Sequence, residues 1–179
     1  MIQNFDNTIL IFIKNNMHSS IMDNIMIGFT TLGNVGTIWI LITLFLLVNK
    51  KYRKAGLMLL VAISLSTLLG EGILKHLIQR QRPFTHIPGF KLLISRPSGY
   101  SFPSGHSAVS FAAAIILSKN FKKYTAGFFT LASLIAFSRL YLYAHYPTDV
   151  ICGIALGAIS AMITIYIFNK GDNKTATKS

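Results

Sequence analysis

Three short groups of polar residues occur in a strongly apolar chain, and their residue types suit the handling of a phosphate group. The first is Lys75 with Arg82 and Pro83, the second is residues 103–106, and the third lies within residues 138–149. Lysine and arginine bind phosphate oxygens, and arginine does so through a planar fork that makes two parallel hydrogen bonds. Histidine supplies a nucleophile or an acid near neutral pH. These types together indicate phosphoryl transfer.

The second group reads Pro-Ser-Gly-His, which is typical of the start of a helix. Ser104 is suited to cap the first backbone amides, and Gly105 allows a ligand to approach the main chain closely. Free amides at a helix N-terminus bind phosphate. The residues that we expect to hold the phosphoryl oxygens are Lys75, Arg82, Ser104, Gly105, His106 and Arg139.

Three further side chains predict the chemical steps. His145 is suited to attack phosphorus and give a phosphohistidine, and Asp149 is suited to accept the proton on Nδ1 of that ring. The two flank Pro147, so a helix that begins there places the carboxylate one turn beyond the imidazole. His106 is suited to protonate the leaving oxygen and then to activate water. None of these roles requires a metal ion or another cofactor.

The spacing of the first group carries a conditional expectation about its geometry. If one helix continues to Pro83, Lys75 and Arg82 share a face two turns apart, and the proline ends that helix.

Polar residues outside the three groups allow more than one interpretation. Glu71 lies in an apolar segment, and we expect it to pair with a motif base or to be structural, with a functional role as the alternative. Lys91 and Arg96 lie in the segment 84–102, where the hypothesis is that they bind a second phosphate. The alternative is a loop that faces solvent or lipid headgroups.

The composition predicts a membrane protein with a single domain. Of 179 residues, 52% are hydrophobic and 12% are charged, whereas soluble domains carry about 25% charged residues. The net charge of +12 is unevenly distributed along the chain, so we interpret it as membrane topology and expect no nucleic-acid partner. The single cysteine, Cys152, excludes an intramolecular disulfide and a cysteine-based metal site. We see no cleavable signal peptide.

The predicted fold class is an all-α integral membrane bundle of five or six transmembrane helices with short N-terminal amphipathic helices. Residues 2–14 and 22–32 are expected to lie in the membrane interface or against the bundle. The alternative is one irregular crossing within residues 2–32. The expected spans are 35–48, 55–77, 107–117 with an extension back to 103, 124–143, and 149–168.

The ends of the chain complete this outline. Gly153 and Gly157 form a Gly-xxx-Gly pair, which favours close packing of helices in lipid. Residues 1–168 are predicted to be one membrane-embedded domain, and residues 169–179 a polar, disordered cytoplasmic tail.

The lysines and arginines predict the orientation in the membrane. Five spans put ten bases at one end of the bundle, which the positive-inside rule makes cytoplasmic. Those ten are Lys50, Lys51, Arg53, Lys54, Lys119, Lys122, Lys123, Lys170, Lys174 and Lys178. The three polar groups then face outward from the cell membrane.

The three groups in this order resemble the signature of the type 2 phosphatidic acid phosphatase superfamily, the lipid phosphate phosphatases. The matching patterns are Lys-x6-Arg-Pro from Lys75, Pro-Ser-Gly-His from Pro103, and Ser-Arg-x5-His-x3-Asp from Ser138. The resemblance implies that His145 is the nucleophile, Asp149 its partner and His106 the acid and base. It also implies a helical bundle, with six helices in many bacterial members.

The short length resembles small bacterial members that act on undecaprenyl pyrophosphate or phosphatidylglycerophosphate. The expected partners are therefore a phosphorylated lipid and the surrounding membrane, with undecaprenyl pyrophosphate preferred and phosphatidylglycerophosphate or phosphatidic acid as alternatives. Two rivals belong to other classes of protein. Vanadate-dependent haloperoxidases resemble the same motif set but are soluble, and a non-catalytic lipid-phosphate-binding protein would not need both histidines and Asp149. Neither the oligomeric state nor the lipid follows from the sequence.

Overall fold

A computed structural model describes residues 2–87 and 89–176, with side chains described through Gly171. Within those residues the chain is helical and contains no strand, which confirms the predicted all-α class. The helices are α1 (Ile2–Asn16), α2 (Ser20–Gly33), α3 (Thr37–Val48), α4 (Arg53–Thr67), α5 (Lys75–Ile78), α6 (Gly105–Asn120), α7 (Thr125–Tyr141) and α8 (Pro147–Ala176). A π-helical turn, Leu68–Leu74, joins α4 to α5.

Helix α6 lies at the centre of the bundle, between α4, α7 and α8. Its middle carries three consecutive buried alanines, at positions 112–114, whose small side chains let neighbouring backbones approach closely. Trp39 on α3 is fully buried, and its indole nitrogen donates a hydrogen bond to Ser110 Oγ at 2.9 Å. This contact ties the first half of the chain to the central helix.

Three segments in the described part of the chain are long and apolar enough to cross a membrane: Ser20–Val48, Arg53–His86 and Pro147–Gly171. Helices α6 and α7, of 16 and 17 residues, run between the same two ends of the bundle. The helix expected at 22–32 and the span expected at 35–48 correspond to α2 and α3, which are separate helices divided by a kink at Val35, where φ is 53°. Helix α3 alone has 12 residues, a length of about 18 Å, so the apolar segment that is long enough to cross also includes α2.

Helix α1 confirms the prediction of an amphipathic N-terminal helix. Leu10 and Ile13 are buried against the bundle, whereas the polar Asn4 and Asn7 are exposed. The first long apolar segment begins only at Ser20, so the described residues contain no separate crossing before it.

The predicted basic end of the bundle is brought together by contacts between its connections. The rings of Tyr52 and Phe121 lie 5.4 Å apart, and Lys119 Nζ donates to Asn169 Oδ1 at 3.3 Å. The expected disorder of the tail is wrong for residues 169–176, because α8 continues to Ala176. Extending an existing helix fixes one residue at a time, which costs little compared with nucleation. Residues 177–179 lie outside the described part.

Candidate active site

The three polar groups meet at the other end of the bundle, but the first reaches it by a different path from the one expected. Helix α5 ends at Ile78, and Gln79 adopts a left-handed conformation with φ 51°. Arg82 is extended, and Pro83 starts a short 3₁₀ turn. The condition of one helix from Lys75 to Pro83 is therefore not met, and the shared helical face does not apply. The residue before a proline is disfavoured in the helical conformation, so the helix must stop before Arg82.

Arg82 holds the predicted nucleophile in one tautomer. Its guanidinium donates to the carbonyl oxygens of Ser98, Gly99 and Ala144 at 3.0, 3.0 and 2.9 Å. Its Nη1 also lies 3.3 Å from His145 Nε2. Because a guanidinium only donates, Nε2 must be the unprotonated nitrogen of the ring. The lone pair of His145 therefore lies on Nε2, and its proton lies on Nδ1.

His145 and Asp149 are both buried, and a serine lies beside them. His145 Nδ1 is 3.8 Å from Asp149 Oδ2, which is longer than a hydrogen bond. The Ser101 hydroxyl donates to the same Oδ2 and lies 3.5 Å from Nδ1. Helix α8 begins at Pro147 and so confirms the expected placement of Asp149 one turn beyond the imidazole. In this resting geometry Ser101 links the ring to the carboxylate.

The protonation of His145 suits a nucleophile. Burial lowers the pKa of His145 to about 3, and the nearby Asp149 carboxylate opposes part of that shift. The ring is therefore neutral at pH 7, as attack through Nε2 requires.

The start of α6 has the predicted capping geometry. Ser104 Oγ accepts the Ser107 backbone amide at 3.4 Å and the Ser107 hydroxyl at 2.9 Å. The Ser104 amide donates to the Asp149 carbonyl oxygen at 3.0 Å. This bond fixes the first turn of α6, which carries His106, against the first turn of α8.

Glu71 lies at the same helix start and confirms the expected pairing with a base. Its carboxylate is 2.7 Å from Lys75 Nζ, and a side chain added at Gly105 would collide with it. The carboxylate therefore lies beside the first backbone position of α6 and brings the Lys75 ammonium group there.

Arg139 and His106 complete the cluster. Arg139 is 3% exposed, and its Nη1 donates to the Thr30 hydroxyl. Its Nε has no hydrogen-bond partner among the described residues. His106 Nε2 lies 3.2 Å from Asn34 Oδ1, and its ring is near enough to Arg139 for the guanidinium charge to act on it. All of the predicted site residues thus lie at one end of the bundle.

Sequence reasoning missed four polar residues that contact Asp149 directly or through a neighbour. They are Asp6, Arg80, Ser101 and Thr148. The small number of acidic residues, only five in the chain, could have drawn attention to Asp6. In so basic a chain, a lone aspartate in the first helix has many possible partners.

Lys91 and Arg96 lie apart from the motif residues. Lys91 lines a separate cavity of about 290 Å³ with Lys14, His18 and Asp23. The Arg96 guanidinium lies over the Phe84 ring, 5.9 Å from its centre. The hypothesis of a second phosphate at these two residues therefore gains no support.

Comparisons with known proteins agree with this geometry. A family model described as the PAP2 superfamily matches residues 54–172. An undecaprenyl-diphosphatase of Sulfolobus acidocaldarius is 33% identical over 139 residues, which cover 76% of this chain and just under two thirds, 66%, of that protein. A lipid A 4'-phosphatase of Bacteroides thetaiotaomicron is 31% identical, with 94% of this chain and 79% of that protein covered.

Two solved structures are similar over most of the chain. LpxE of Aquifex aeolicus superposes with a TM-score of 0.79 at 30% identity, covering 90% of this chain and 95% of that one. A transmembrane PAP2-type phosphatidylglycerolphosphate phosphatase of Bacillus subtilis gives a TM-score of 0.76 at 27% identity, with 94% and 86% covered. The likeness therefore extends beyond the range of the family model, which begins at residue 54.

Proposed function

The chain belongs to the PAP2 superfamily, as its three motifs predict, and on that premise we propose that it hydrolyses a lipid phosphate or diphosphate in the membrane. The observation that carries the proposal is the pair of Arg82 and Arg139 beside the neutral ring of His145, with Lys75 close to both guanidinium groups. Arg139 is buried with a free Nε and without a carboxylate partner among the described residues. A buried guanidinium is costly unless an anion is bound to it, so a phosphoryl group suits this place.

The first step is attack of His145 Nε2 on phosphorus. As the N–P bond forms, the bond from phosphorus to the leaving oxygen breaks, and His106 donates a proton to that oxygen. The ring becomes positively charged, with its Nδ1 proton directed towards Asp149 and Ser101. A buried carboxylate beside the ring stabilises this charge more than it stabilises the neutral resting ring.

The second step is hydrolysis of the phosphohistidine. His106 now takes a proton from water, the water oxygen attacks phosphorus, and the N–P bond breaks to release inorganic phosphate. Lys75, Arg139 and the amides at the start of α6 neutralise the equatorial oxygens in both steps. The carboxylate of Glu71, which lies beside Lys75, must move or take a proton when a phosphoryl group binds there.

We propose undecaprenyl diphosphate as the preferred substrate, with phosphatidylglycerophosphate or phosphatidic acid as the alternatives. The undecaprenyl-diphosphatase relative supports this preference. The lipid A 4'-phosphatase relative, whose match covers 94% of this chain, makes lipid A the further candidate to test.

The proposed location is the cell membrane, with the site facing outward and the C-terminus cytoplasmic. Support comes from the contacts of Tyr52 with Phe121 and of Lys119 with Asn169, which gather the basic connections at the end opposite the motifs. Basic loops are retained on the cytoplasmic side.

Purified protein in detergent with EDTA, tested on the four lipids, checks this proposal. We expect phosphate release that is fastest with undecaprenyl diphosphate and absent in His145→Ala. Release that persists in His145→Ala would refute the nucleophile, and a different ranking would change the substrate. No release from any lipid by the wild type would favour a binding-only protein.

A further inference from the structure

Helix α1 carries a buried carboxylate that reaches the catalytic end of the bundle. Asp6 is fully buried, and its Oδ2 lies 2.6 Å from Arg80 Nη2. Arg80 Nη1 in turn lies 2.7 Å from Asp149 Oδ1. Thr148 fixes Asp6 from the other side, through its amide at 2.9 Å and its hydroxyl at 2.7 Å. One guanidinium therefore bridges two buried carboxylates, one of which belongs to the proposed catalytic pair.

The contacts of Asp149 leave it a single orientation. Its Oδ1 accepts Arg80, while its Oδ2 accepts the Ser101 hydroxyl and the Tyr146 amide, the latter at 2.9 Å. Arg80 is held in turn, because its guanidinium carbon lies 3.9 Å from the centre of the Tyr146 ring. Arg80 also donates to the Thr148 hydroxyl on α8 at 2.7 Å, and α1 supports it through Asp6 and through Gln3 Oε1 at 3.0 Å.

We propose that Asp6 is a positioning residue for catalysis, which holds Asp149 through Arg80 and sets the net charge behind the nucleophile. The inference rests on the proposed phosphohistidine reaction. Asp6, Arg80 and Asp149 together carry one negative charge, and this charge favours the positive ring that forms when His145 attacks phosphorus. Without the charge of Asp6, Arg80 neutralises Asp149 completely. Helix α1, which contributes no residue to the three motifs, thereby affects the reactivity of the His145 ring.

The other charges around His145 determine the direction of the expected effect. Arg82 from the segment before the 3₁₀ turn and Arg139 from α7 both oppose a positive ring, and Asp149 from α8 favours it. His106 from α6 lies close enough to interact with the ring. Removal of one negative charge from this set makes protonation of His145 and formation of the phosphohistidine harder.

The first test compares Asp6→Asn with Asp23→Asn over a range of pH. Asp23 is a charge-matched control on α2, where it contacts His18 and Tyr141 and none of the catalytic groups. We expect Asp6→Asn to lower kcat about tenfold with little change in KM, a loss of about 1.4 kcal/mol of transition-state stabilisation. We also expect the acid limb of the kcat/KM profile to move to lower pH, and both quantities to stay near wild type in Asp23→Asn.

A double variant separates charge from packing. Asp6→Asn combined with Arg80→Gln restores the net charge of minus one behind His145, so the acid limb should return towards its wild-type position even if kcat stays low. Rates are divided by the folded fraction measured at each pH, so that acid unfolding of a variant is not mistaken for a shift of the limb. Equal acid limbs in wild type, single and double variants would overturn the inference.

A readout without turnover keeps this inference separate from the proposed function. Imidazole ¹⁵N resonances of His145, assigned with His145→Gln, report its tautomer in the free protein. We expect the Nδ1 proton to stay in place in both proteins, because Arg82 donates to Nε2 in both, and the pH midpoint of ring protonation to fall in Asp6→Asn. If wild type hydrolyses none of the lipids, the proposed function fails, and an unchanged midpoint in Asp6→Asn would then refute the role of Asp6 as well.

Discussion

Substitution of Gly157 by alanine tests how the two helices that carry the catalytic residues are held together. A methyl group at Gly157 on α8 would lie 2.9 Å from the Ala112 backbone nitrogen and 3.1 Å from the Ala108 carbonyl carbon, and closer still to the Ala108 oxygen. These neighbours are backbone atoms of α6, so relief requires the two helices to separate. This contact supports the Gly-xxx-Gly interpretation of Gly153 and Gly157.

The expected change in the free energy of unfolding is the sum of a cost and a gain. Overpacking of a well-packed interior costs about 1–3 kcal/mol, whereas replacing glycine by alanine in a helix gains about 1 kcal/mol. Gly127→Ala on α7 is the matched control, because nothing lies within 4 Å of the added methyl group. The control shares the gain in helix propensity and lacks the collision. We therefore expect Gly157→Ala to be about 1–3 kcal/mol less stable than Gly127→Ala.

The assay is thermal unfolding in detergent, measured together with phosphate release. Gly157→Ala should unfold several degrees below Gly127→Ala and should lose activity, because separation of α8 from α6 moves Asp149 relative to His106. Equal unfolding temperatures for the two variants would refute the close approach of the helices. A loss of stability with full activity would show that the contact between α6 and α8 does not affect the catalytic geometry.

Three further perturbations test individual contacts. Ser101→Ala should lower kcat by about tenfold or more in a lipid phosphatase assay, because a hydrogen bond to a buried carboxylate contributes about 1.5–3 kcal/mol. An unchanged kcat would show that the contact of Ser101 with Asp149 does not contribute to catalysis. Glu71→Gln should tighten inhibition by inorganic phosphate a few-fold, because it removes a half-exposed negative charge beside Lys75; weaker inhibition would contradict this. The pKa of His145 is lowered to about 3 in the folded protein, so its neutral form stabilises the fold above the unfolded pKa of about 6.5, and this contribution is lost as the pH falls. Between pH 6.5 and 5, wild type should lose about 1.6 kcal/mol of stability relative to His145→Gln, and an equal dependence of stability on pH in the two proteins would exclude a neutral buried ring.

Features that depend on local chemistry could be predicted from the sequence. The cap at Ser104 and the start of α8 at Pro147 follow from residue types within a single helical turn. The meeting of the three motifs was predicted by their resemblance to a family, since spacing alone does not bring residues 75 and 145 together.

Features that depend on distant partners could not be predicted. Asp6 and Arg80 are separated by most of the first half of the chain, and an aspartate in an amphipathic helix has the same pattern whether it faces water or a buried arginine. The path from Lys75 to Arg82 was misjudged because the restriction before Pro83 was weighed less than the helical spacing. Helix α3 was taken as a complete span because its apolar character was weighed more than its short length.

The most direct test of the central claim is to trap the phosphorylated residue. Wild type and His145→Ala are mixed with undecaprenyl diphosphate labelled with ³²P on its terminal phosphate, quenched in alkali within one turnover, and digested for peptide mapping. A phosphohistidine is stable to alkali and labile to acid, so the account predicts acid-labile label on the peptide that contains His145, and none in His145→Ala. Phosphate release without label on the protein, or label on His106 instead, would contradict it.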